Sequence, residues 1–248
     1  MGNDEFYLKP SSNPHIRVAE GEVFLLDPIV SQRYTMNVQG FLEKKGSGLA
    51  KVSWRSGPLG LTKMTAAGLI LDVGNRYRTR PEFICTILQS EQDLISDPAV
   101  RDPLFDVISL KEQGDVAPAP PSPGYMVRRN GGAKTADGNR WFAVKGDWKM
   151  LAATGAGIPD PGVFPPWDVR KYIGFTNQIE SVGKLVEKYY TQFNEAVRRG
   201  NVAGRTVTLY GGRKVVAGDP ETFVLLSWTP SPQVLAERPA IAKSYMLS

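Results

Sequence analysis

NQIESVGKLVEKYYTQFNEAVRR, Asn177 to Arg199, is the one passage of this 248-residue chain with unbroken helical periodicity. Ile179, Val182, Leu185, Val186, Tyr189, Tyr190, Phe193 and Val197 recur at 3.6-residue spacing, which predicts a helix with one packing face. Its borders agree. Asn177 with Glu180 has the form of a capping box, and Glu180/Lys184 and Glu195/Arg199 are correctly ordered i,i+4 pairs. Arg198 and Arg199 suit the negative helix end, and Gly200 can terminate it. At 1.5 Å per residue such a helix spans roughly 35 Å.

Downstream, RTVTLYG, RKVVAG and TFVLLSW read as the strands of a β-meander, and TPSPQVLAERPAIAKSYMLS, from Thr229, as an extended tail. Upstream, two proline-rich passages, DVAPAPPSPG from Asp115 and GAGIPDPGVFPPW from Gly155, disfavour helix and central strand and read as connectors or surface loops. Before them, apolar alternation predicts strands near 15–19, 22–27, 33–43, 49–55, 68–73 and 82–89. RYTMNVQGFLE and LAKVSWR would form a hairpin around EKKGSG, with Met36, Val38 and Phe41 inward. Asp-Pro occurs at Asp27, Asp97, Asp102, Asp160 and Asp219, where aspartate can cap a turn or short helix. After Asp102 a short helix through LFDVISLKEQG is expected. The fold class predicted is α+β: mostly antiparallel β-sheet, one long amphipathic helix at about 177–199, and extended termini. The organisation expected is a β-rich region over 1–114, a connector over 115–124, and a hairpin, long helix and meander over 125–248, packed as one body.

The chain holds one histidine, His15, and one cysteine, Cys85, so sites made of several imidazoles or thiolates cannot be assembled within one copy. Cys85 lies in FICTI, read as an apolar strand where a thiol acts as a small hydrophobe. No apolar run reaches membrane-spanning length, and MGNDEFYLKP lacks the basic and apolar regions of an export signal, so a cytoplasmic location is expected, or the virion if the protein is phage-encoded. The net charge of +5 permits a polyanionic partner without demanding one.

Two basic clusters are candidate contact surfaces. NRYRTRPEF would place Arg76, Arg78 and Arg80 on one face of an extended strand, a stripe able to track phosphates, or equally an edge strand defended by like charge. YMVRRNGGAKTADGNRWFAVKGDWKM, Tyr125 to Met150, interleaves Arg128, Arg129, Lys134, Arg140, Lys145 and Lys149 with Trp141 and Trp148. This is the cation-and-ring pattern of sequence-tolerant single-strand binding, or a plain hairpin with solvated cations and core aromatics. GGAKT at Gly131 lacks the glycines of a phosphate loop, GAGIPDPG lacks the frame of a dinucleotide fingerprint, and Ser47 lies outside a nucleophile elbow. No catalytic, cofactor-binding or metal-ligating residue is named from sequence. The function expected is therefore non-enzymatic: a structural or assembly protein, for example a subunit of a phage or viral particle, partnered by its own copies or other protein subunits. The alternative is a single-stranded DNA- or RNA-binding protein using the basic-aromatic surfaces.

Overall fold

A computed structural model describes residues 4–31, 36–56, 61–110, 126–129, 141–156 and 172–247. The elements run in chain order as α1 (Asp4–Tyr7), β1 (Ile16–Ala19), β2 (Glu22–Leu25), α2 (Val38–Lys44), β3 (Ser53–Ser56), β4 (Thr62–Thr65), α3 (Ala66–Arg76), α4 (Pro81–Gln92) and β5 (Phe105–Leu110). They continue as β6 (Met126–Arg129), β7 (Trp141–Gly146), α5 (Trp148–Leu151), α6 (Phe175–Arg198), β8 (Thr206–Thr208), β9 (Lys214–Ala217), α7 (Pro220–Trp228) and α8 (Val234–Met246). The strands make a four-stranded sheet in the order β1-β2-β9-β8, a β3-β4 pair, and a three-stranded sheet in the order β5-β7-β6. All pairings are antiparallel except β2 with β9.

The expectation of a mostly antiparallel sheet with extended termini is corrected: among the described residues helix outweighs strand, and α1 and α8 stand near the two ends. Of the predicted strands, 15–19 and 22–27 are found as β1 and β2, joined by Glu20 and Gly21, both at positive φ as a two-residue hairpin turn requires. The passages 68–73 and 82–89 are instead the helices α3 and α4, TFVLLSW lies in α7, and the tail holds α8. In place of the hairpin over 33–43 and 49–55, α2 leads to a short 3₁₀ turn, Gly48–Lys51, and only then to β3. The helix expected after Asp102 is the strand β5.

The corrections at α4 and α7 share a physical cause. In α4 every residue from Pro81 to Leu88 is buried, and in α7 every residue from Glu221 to Leu226. A helix enclosed on all sides carries no polar face, so its sequence loses the 3.6-residue signal, and its β-branched and aromatic content mimics a strand. The long helix is present as α6, with Ile179, Val182, Val186 and Phe193 buried. It starts before Asn177, whose side-chain amide donates to the Ile173 carbonyl instead of capping. Gly200, at φ +63°, ends it, while the Asn201 N–H returns to the Ala196 carbonyl at 2.8 Å.

The chain divides into two compact units. The first comprises Met1–Phe41, Ile70–Ser90 and Val182–Ser248, and the second Leu42–Leu69 and Glu91–Ser181. The first contains the four-stranded sheet and α7, which packs on α8 and on β2, β8 and β9. The second contains the three-stranded sheet, whose register sets Arg129 opposite Trp141 and Arg128 opposite Phe142. The connector over 115–124 lies outside the described residues.

Candidate functional site

Helix α3 ends at Arg76, and the chain turns through Tyr77, Arg78 and Thr79 before α4 begins at Pro81. The Thr79 N–H returns to the Gly74 carbonyl at 2.9 Å, the six-residue closure of a helix end in which the residue before Thr79 takes the left-handed conformation. That residue is Arg78, at φ +53°. Glycine usually fills this place, and a larger L-residue there costs about 1–2 kcal/mol. The turn meets α6 closely at Gly183, where a Cβ would lie 2.2 Å from Cδ2 of Tyr77.

Between this turn and α6 is a cleft of about 540 Å³, lined on one side by Ser31, Arg76, Tyr77 and Arg78 and on the other by Val186, Glu187, Tyr190, Thr191 and Asn194. The α6 residues recur at helical spacing, so they form one stripe facing the turn. Arg76 is paired with Asp72 at 2.8 Å, and its guanidinium lies 5.3 Å from the centre of the Tyr77 ring. Arg78 is exposed and makes no ion pair or hydrogen bond with another described residue.

Beneath the cleft, the Glu221 carboxylate gathers five donors. The Ile29 and Val30 N–H groups reach Oε2 at 2.5 and 2.8 Å; the Ser31 N–H and hydroxyl reach Oε1, both at 3.0 Å, and the Tyr190 hydroxyl at 2.9 Å. Tyr190 also lies 2.8 Å from Ser31 Oγ. Burial first, and then the charge of Glu221, push the Tyr190 phenol well above its ordinary value, so it stays a donor. Neighbouring Asp219 caps α7 through the Thr222 N–H at 2.8 Å and accepts the Leu25 N–H at 2.8 Å. The residues after β2 are thereby fastened to the start of α7.

The structure brings together Arg76 and Arg78 on the cleft but not Arg80. The expected stripe along an extended strand is replaced by a helix end, a turn and a helix start, and Arg80 is 8 % exposed, its Nη1 3.8 Å from Sδ of Met246. In the second unit, Trp148 opens α5, and Lys149 pairs with Asp97 at 3.1 Å. Asp97 also accepts from Arg101 at 2.7 Å and from the Ala99 N–H at 3.0 Å. These bonds, the backbone one foremost and then that of Arg101, hold its carboxyl well below the ordinary range. Arg128, Arg129, Trp141 and Lys145 lie on β6 and β7, with only their backbone described; Lys134 and Arg140 fall outside the described residues.

Other side chains with reactive potential have structural surroundings. Cys85 is fully enclosed, and burial, with Glu82 nearby, pushes its thiol far up. Burial, with Lys243 nearby, pulls the His15 imidazole down. Ser47 donates to the Leu94 carbonyl at 2.9 Å. Among the described residues no group of three or more His, Cys, Asp or Glu is placed to hold a metal ion, and no helix is long and apolar enough to cross a membrane.

Ser31, Tyr190 and Glu221 were not named as site residues from sequence. Two signals pointed toward them: Asp219-Pro220-Glu221 is a helix start, and Tyr190 lies on the predicted helix. Comparison with protein-family models, curated proteins and solved structures found no match.

Proposed function

We propose that the protein is a non-enzymatic subunit of a larger assembly, such as a phage or viral particle, joined through its surfaces to further copies of itself or to other protein subunits. The observation that supports this most is the open four-stranded sheet. Among the described residues neither β1 nor β8 has an outer neighbour, and on β1 Val18 is 40 % exposed, with Leu26 just past β2 at 53 %. An unpaired edge with apolar side chains is a template for a strand from another chain. The use of Glu221, Asp219 and Asp97 to hold backbone and neighbouring side chains supports the same reading. The protein would work in the cytoplasm, or in the virion if phage-encoded.

Light scattering over a concentration series tests this. Mass should rise above that of one 27.2 kDa chain, and Val18→Lys should reduce the association while leaving the circular dichroism spectrum unchanged. A monomer at every concentration, alone and with other components of its particle, overturns the proposal. A second reading, binding of single-stranded nucleic acid, is favoured by the placement of Arg76 and Arg78 on one cleft.

A further inference from the structure

We propose that the cleft between the α3–α4 turn and α6 binds one nucleoside monophosphate unit, either a free nucleotide or one residue of a single strand. The site goes beyond the assembly reading, and only its strand source rests on the nucleic-acid reading. Its volume of about 540 Å³ falls in the range, roughly 300–1,000 Å³, of pockets that hold small organic ligands.

The chemistry of the walls divides in two. Arg76 is already engaged by Asp72, so Arg78 is the cation at the mouth with bonding capacity to spare, which fits a monophosphate or a phosphodiester better than a polyphosphate. The half-buried Tyr77 and Tyr190 line the walls and supply aromatic surface for a base, with Val186, 2 % exposed, packed behind them. Glu187 and the Asn194 amide offer an acceptor and a donor–acceptor pair for base or sugar edges. The Thr191 hydroxyl, having donated to the Glu187 carbonyl at 2.9 Å, can still accept.

The site is also held in shape. Tyr77 is wedged against Gly183, and the Tyr190 hydroxyl is committed to Glu221 and Ser31, which fixes its ring. The left-handed backbone of Arg78, which Glu20 and Asp93 share, marks a position where glycine would be relaxed. Glycine at that position retains the turn and removes the side chain, guanidinium included.

The experiment is calorimetric titration at low salt of adenosine and uridine 5′-monophosphate, and separately of a short oligothymidylate, into the wild-type chain, Arg78→Gly and Arg213→Ala. Arg213 is exposed in the β8–β9 turn, so its loss makes the same change of charge away from the cleft. Mononucleotide binding that weakens about tenfold or more in Arg78→Gly and is unmoved in Arg213→Ala supports the proposal. Melting should show Arg78→Gly folded, with Tm unchanged or raised. If the mononucleotides bind and the oligomer does not, the site stands with a free nucleotide as its ligand, and the nucleic-acid reading falls. If the oligomer binds equally well to wild type and Arg78→Gly while the mononucleotides do not bind, the site is overturned and the nucleic-acid reading survives. If neither the mononucleotides nor the oligomer binds, both fall.

Discussion

Glu221, 7 % exposed, stabilises its unit by accepting what its neighbours must donate. Ile29 and Val30 are fully buried, and their N–H groups have this carboxylate as acceptor. A buried donor left without a partner costs far more than an average hydrogen bond returns. Glu221→Gln keeps the shape but replaces one accepting oxygen with an NH₂ group facing donors, so it should lower unfolding stability by about 2–3 kcal/mol. Tyr190→Phe removes one donor and should cost about 1 kcal/mol. Because both changes act on the same cluster, the double variant should fall short of the sum. Urea-denaturation midpoints of the four proteins check this; a Glu221→Gln variant as stable as wild type would show the cluster to be inert. Arg78 has the opposite character: its side chain bonds to no other described residue, and its backbone is in a conformation it disfavours.

At the scale of elements, Asp97 ties the segment after α4 to the start of α5. It accepts from Arg101 and Lys149, and Arg101 also donates to Asp147, the cap of α5, at 2.7 Å. Its carboxyl is held below the ordinary value of 3.8, so the folded chain binds this proton less readily than the unfolded chain. The stability it contributes is thus complete above that ordinary value and is lost as pH falls below it toward the folded value. Asp97→Asn should destabilise at pH 7, and its deficit against wild type should shrink steadily as pH falls below 3.8. The measurement is the urea midpoint against pH; parallel curves for the two proteins would disprove the linkage. Legible in the sequence were β1, β2, β8 and β9 by their short apolar runs and α6 by its stripe. The enclosed α4 and α7 were not, and neither was α3, whose Asp72, Asn75 and Arg76 are exposed but whose short apolar run LILDV also reads as a strand. PEFICTILQSEQ of α4 and PETFVLLSW of α7 show continuous apolar runs, and only the proline followed by glutamate at their first positions marks them as helices. The tail reads as extended in the sequence, yet it forms α8, which carries Pro239 inside it, with Leu235 and Ala242 buried. Of the candidate site, Arg76 and Arg78 were legible as charge. The helical α3 and α4 on either side put Arg80 in the core, which an extended reading of alternate arginines could not anticipate.

At the scale of the whole molecule, the net charge of +5 draws any polyanion weakly, and the question is how many cations meet phosphate at once. A groove using all nine basic positions named from the sequence, Arg76, Arg78, Arg80, Arg128, Arg129, Lys134, Arg140, Lys145 and Lys149, would release many counterions. The slope of log affinity against log salt would be about −6. The structure removes Arg80 by burial and pairs Lys149 with Asp97, while the cleft presents Arg78 beside an already paired Arg76. One or two phosphate contacts on a single strand give a slope of only about −0.7 to −1.4. Oligothymidylate binding followed by fluorescence anisotropy across a salt series should therefore be shallow. Val18→Lys should leave its slope nearly unchanged while reducing association between chains, because the sheet edge and the cleft are built from different elements. A slope steeper than about −4 would require at least six phosphates neutralised together. No surface composed of Arg76 and Arg78 alone can do that, so such a slope would move the binding face away from the cleft.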